Sequence, residues 1–136
     1  MGNSTKYIKA FIAGITLPSL LLPLLLSIAW FLGKFQILNI FFLHFIPIIW
    51  GIWNVLYFAF FQEILPKNLN VRLLITGAVL GLIIASYGVF WLNIPAVVGL
   101  PPSLHYLPLV VVPILYAVLW LYAVKPLNDL LNLTDR

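Results

Sequence analysis

Four long apolar stretches, roughly residues 10–32, 39–62, 72–94 and 104–124, divide this chain, and its charged side chains lie between them or at their ends. A helix needs about 20 apolar residues to cross the hydrocarbon core of a bilayer. Each stretch is long enough, so the pattern predicts an all-α integral membrane protein with four transmembrane helices. Lys6 and Lys9 precede the first stretch, Lys67 and Arg72 lie between the second and third, and Lys125 and Arg136 follow the fourth. The opposite side carries only Lys34. By the positive-inside rule both termini face the cytoplasm, and the expected address is a bacterial or archaeal cytoplasmic membrane.

The first stretch exceeds the apolar core of a signal peptide, although Ser27 and Ala29 make a small-x-small site. Its opening "MGNSTK" carries Lys6 where a myristoylation signal needs Ser or Thr. The glycosylation patterns at 3–5 and 132–134 fall on the expected cytoplasmic side and are discounted.

Sliding the chain along itself exposes an internal likeness. At an offset of about 61, Trp30 meets Trp91, His44 meets His105 and Pro47 meets Pro108. Nearby offsets match Lys9 to Arg72, Gly14 to Gly77, Pro66 to Pro126 and Asn68 to Asn128. A rival match of 17–30 with 107–120 is also good but does not extend into the flanks. The better alignment divides one membrane domain into helical hairpins 1–68 and 69–136, expected as parallel repeats about an axis along the membrane normal.

Composition narrows the chemistry. Of 136 residues 64% are hydrophobic and 7% charged, too little polar surface to cover a soluble globule. There is no cysteine, so disulfides and thiol chemistry are excluded. The three acids, Glu63, Asp129 and Asp135, leave no carboxylate inside a predicted span. Glu63 and Lys67 are spaced for an ordinary i, i+4 surface pair. A net charge of +4 without a basic stripe argues against nucleic acid as a partner. No phosphate-cradling glycine loop, catalytic Ser/His/Asp set or zinc motif is present, so neither an enzyme nor a metal site is expected.

The candidate site residues are few. His44 and His105 occupy the same local frame, "LHFIP" and "LHYLP". Two imidazoles facing one axis could ligate a haem iron or hold a quinone carbonyl; alternatively each ring is an interfacial hydrogen-bonder. Trp50, Trp53, Asn54 and Tyr57 share a helix face by their i, i+3, i+4, i+7 spacing. That face is either the wall of a polar, aromatic cavity or an interhelical hydrogen bond that holds the bundle. Gly77, Gly81, Ala85 and Gly88 form a small-residue stripe for close helix packing, within the bundle or between subunits. Pro18 and Pro23 in the first helix and Pro108 and Pro113 in the fourth are expected to kink them. The connection at 95–103 is uncharged, proline-rich and expected in the interface or against a partner.

These features favour a non-enzymatic membrane protein acting by helix–helix association, as a homo-oligomer or accessory subunit of a larger membrane complex. The alternative is a facilitative carrier or pore for a small apolar or amphipathic solute, working around Asn54, Trp50 and Tyr57. A haem- or quinone-binding subunit using His44 and His105 is the third reading, and no cofactor is otherwise expected.

Overall fold

The computed structural model describes residues 2–133, so Met1, Thr134, Asp135 and Arg136 lie outside the described residues. Four helices are long and apolar enough to cross a membrane. They are α1 (Asn3–Phe31), α2 (Phe41–Ile64), α3 (Leu69–Phe90) and α4 (Pro108–Leu130). The protein is a multi-pass helical membrane protein.

The ends of the spans differ from the hydropathy pattern for local reasons. α1 starts near residue 3 because Lys6 and Lys9 can ride on a helix that emerges from the apolar layer. α3 opens at Leu69, where the Asn68 side chain accepts the Val71 N–H at 3.2 Å. It closes at Phe90 instead of 94, because Asn93 adopts a left-handed backbone and Pro95 follows. Pro108, expected to kink α4, begins it instead, since the first turn has no use for its missing N–H. α4 then continues past 124 to Leu130, supported by a 2.8 Å ion pair between Lys125 and Asp129 at i, i+4. Lys67 lies beyond the end of α2, so Glu63 and Lys67 do not share a helix. Pro18 and Pro23 sit inside an unbroken α1, and Pro113 sits inside α4.

Two helices change pitch part-way. α2 opens in a tight 3₁₀ turn at Phe41–Phe45 and passes through a π-helical segment at Tyr57–Phe61; α4 does the same at Trp120–Val124. A π turn inserts an extra residue and rotates the helix face. Tyr57 and neighbouring Phe58 of the α2 segment, and Trp120 and Val124 of the α4 segment, are buried.

Within each hairpin the helices meet backbone to backbone. An added Cβ at Gly14 of α1 would lie 2.6 Å from the Trp50 carbonyl oxygen of α2. Gly77 of α3 sits equally hard against the Tyr116 backbone of α4, and Gly81 against Pro113. The small-residue stripe is thus spent inside the molecule: Ala85 is buried and Gly88 faces Ile94 of the following loop.

Between the hairpins, contact is made by large side chains and polar groups. The Trp50 ring lies 4.9 Å from Tyr116 and 5.2 Å from Trp120, and Phe42 lies 4.6 Å from Tyr87, centroid to centroid. α1 and α4 approach closely at the end bearing the termini, along Trp120–Leu130 of α4.

Candidate functional site

The aromatic and polar face of α2 turns inward, as its spacing implies, and its Asn54 and Tyr57 are closed off from the exterior. Asn54 and Tyr57 are 0% exposed and Trp50 is 2% exposed. The Asn54 Nδ2 donates to the Ala10 carbonyl at 2.7 Å and to the Asn128 Oδ1 at 2.8 Å. Asn128 returns a bond from its Nδ2 to the Asn54 Oδ1 at 3.3 Å. Three helices are therefore tied through one pair of amides. The Trp53 indole N–H, on the flank of the same face, donates to the Thr76 carbonyl of α3 at 3.0 Å. In an apolar solvent such bonds hold helices together because no water competes for the groups.

Sequence reasoning missed two members of this network. Asn128 falls in the segment after 124 that the apolar pattern assigns to the exterior. Arg72, read from sequence as a topology-setting charge between the second and third spans, is 3% exposed. Its Nε donates to the Tyr57 hydroxyl at 3.1 Å and its Nη1 to the Gln62 carbonyl at 3.4 Å, and its guanidinium lies 5.8 Å from the Tyr57 ring centroid. The signal was the placement of an arginine at the fourth residue of a helix opened by Asn68. One turn in, it can reach the neighbouring hairpin.

The two histidines have matching, separate employment. His44 Nε2 bonds the Leu38 carbonyl at 3.0 Å and His105 Nε2 bonds the Leu100 carbonyl at 2.9 Å. A carbonyl only accepts, so Nε2 carries the proton in each ring. Each histidine fastens the loop that precedes its own helix. His105 also lines a shallow cleft of about 310 Å³ with Asn93, Pro95 and Tyr106, to which His44 does not contribute. Among the described residues no three His, Cys, Asp or Glu gather as a metal site.

A different feature opens to the bilayer. Beyond their close approach, α1 and α4 leave between them a groove of about 370 Å³, floored by α2. Leu17, Leu21 and Leu25 of α1, Ile46 and Trp50 of α2, and Leu115 and Tyr116 of α4 form its walls. The lining is almost wholly apolar, and the size falls within the range of small-molecule sites. Of His44, His105, Trp50, Asn54 and Tyr57, the candidate ligand-binding residues, Trp50 alone lines it.

No protein-family model, curated protein or solved structure matches this chain.

Proposed function

We propose that the protein is a non-enzymatic bilayer protein that takes up an apolar-tailed, amphipathic molecule sideways from the membrane, into the groove between α1 and α4. One contrast carries this reading. The polar interior around Asn54 is closed and its amides are bonded to one another, whereas the groove is open and apolar. A carrier working through Asn54 would have to break the amide pair; a molecule entering from lipid breaks nothing. The orientation that fits has both termini cytoplasmic, as the basic residues argue. The two hairpins are best read as copies of one unit. Gly14 and Gly77 make equivalent close approaches, and π segments begin at Tyr57 and Trp120, both pairs 63 residues apart.

A lipid carrying a photoreactive diazirine in its tail tests the groove. Crosslinks mapped by peptide sequencing should concentrate on Leu21, Leu25 and Leu115. Labelling spread evenly over lipid-facing residues such as Leu82 and Ile83 of α3 would remove the reading.

Association with a second copy or a larger complex is favoured by a separate observation. In the most apolar window of α1 17% of residues are covered by the rest of the chain, against 44% in α3. Leu20, Leu24, Ile28 and Phe31 leave a bulky ridge on α1 for a partner helix. Cysteine crosslinking along that ridge in native membranes should trap a neighbour; a silent ridge would exclude this surface.

A further inference from the structure

The groove is long, apolar and open along one side. It runs along α1 from Leu17 to Ala29, a rise of roughly 18 Å at helical pitch. That is close to the depth of about 15 Å which the chains of one leaflet fill, half of the hydrocarbon core, so a hydrocarbon chain lying along α1 matches the groove end to end.

A charge stands beside one end of the groove, on the residue whose backbone bonds to Ala29 and Ile37. Gly33 takes a positive φ of 70° and turns the chain out of α1. Lys34 then donates its backbone N–H to the Ala29 carbonyl at 2.9 Å and accepts from the Ile37 N–H at 3.1 Å. Ala29 and Ile37 both line the groove, so Lys34 is anchored to its rim at two points. Its ammonium leans across to the second hairpin, 3.6 Å from where a Cβ on Gly99 would stand. The side chain is exposed and makes no ion pair among the described residues. It is the sole cation between α1 and α2 or between α3 and α4, and those two connections contain no acid. An anion arriving at this end of the molecule therefore meets one ammonium and no opposing carboxylate.

We infer that the groove holds one chain of an anionic lipid, with the Lys34 ammonium on the lipid's phosphate. This rests on the reading of the groove as a lateral binding site. A zwitterionic lipid can place the same chain in the groove, but its own cation competes with Lys34 for the phosphate. One lysine near an anionic headgroup favours it by about five-fold. The interaction weakens as salt rises, because the rim is open to water.

The test uses the full chain in phosphatidylcholine vesicles with trace tail-diazirine phosphatidylglycerol or phosphatidylcholine of identical chains. Expected is crosslinking of both labels at Leu21, Leu25 and Leu115, with the anionic lipid ahead about five-fold. Lys34→Gln should bring the ratio near one and leave groove labelling in place. Leu22→Trp, or Leu115→Trp from the opposite wall should the first fail to fold by circular dichroism, should abolish labelling by both lipids. Glycerol phosphate at millimolar concentration should not compete, because it lacks the tail; competition would assign the site to free phosphate and overturn the inference. Equal labelling by the two lipids in the unmodified protein, or a preference that survives Lys34→Gln, would also overturn it while leaving the groove a lateral site. Absence of groove labelling by either lipid would remove the site itself, and the inference with it.

Discussion

The two hairpins solve one packing problem with different residues. In the first, Gly14 admits the backbone of α2 at Trp50 and Asn54; in the second, Gly77 admits the backbone of α4 at Tyr116 and Trp120. Each second helix then passes through a π turn, and each histidine fastens its own loop. What differs is the residue beneath the glycine. The first hairpin presents an amide, Asn54, that must find a partner; the second presents an indole, Trp120, that fills space. Backbone approach is thus shared, while the contact between hairpins is asymmetric. Asn54 is answered by Asn128 from the far end of α4, and the alignment partner of Asn128, Asn68, instead caps α3. Residues matched in sequence need not do matched work once the helices around them differ.

The largest expected effects test the shared part. Gly77→Ala drives a Cβ onto the Tyr116 carbonyl and to 2.7 Å from the Trp120 Cβ. Overpacking of this kind costs about 1–3 kcal/mol, and backbone cannot step aside as a side chain can. Gly14→Ala should be nearly as costly, with contacts at 2.6 and 2.9 Å. Gly88→Ala meets only the tip of Ile94 at 3.3 Å and should be near neutral. Unfolding in mixed micelles followed by circular dichroism ranks the three; a tolerated Gly14→Ala beside a damaging Gly77→Ala would end the equivalence of the hairpins.

The asymmetric part comes next. Asn54→Val or Asn128→Val leaves the other amide buried and short of a partner, a loss of about 1–3 kcal/mol each. The double variant should lose less than the two singles together, by a coupling of about 0.6–2 kcal/mol. Strict additivity in the same unfolding assay would mean that the two amides do not meet.

The smallest effect belongs to the histidines. His44→Ala and His105→Ala should each cost about 0.5–1.5 kcal/mol through a lost loop hydrogen bond. The two should add within about 0.5 kcal/mol, as independent sites do. A coupled loss, or an absorption band in the purified protein that either change removes, would restore a ligand shared between the two rings.

The four spans were legible because hydrocarbon thickness demands a length of apolar chain that composition alone reveals. Burial of the Trp50, Asn54 and Tyr57 face was legible as well, since 3.6-residue periodicity puts them together and a lone amide cannot face lipid cheaply. The matched frames of His44 and His105 were visible too, and their local role follows from the loop carbonyls lying five and six residues behind them. The helix ends were less so: Asn93 stops α3 by adopting a left-handed backbone, which many asparagines do not. Nothing in "YFAFF" or "WLYAV" marks a π turn, because pitch responds to what the helix packs against.

By itself, then, the amino-acid order determined a four-span helical protein with a handful of inward-facing groups, because the bilayer as solvent enforces length and polarity one helix at a time. Only the tertiary structure decided that Asn54 answers Asn128 across 74 residues and that Arg72 turns in to Tyr57. It alone decided that the small-residue stripe is used within the molecule and that α1 and α4 part to leave a groove. Those outcomes depend on how far apart two distant surfaces come to rest, a quantity that no local pattern encodes.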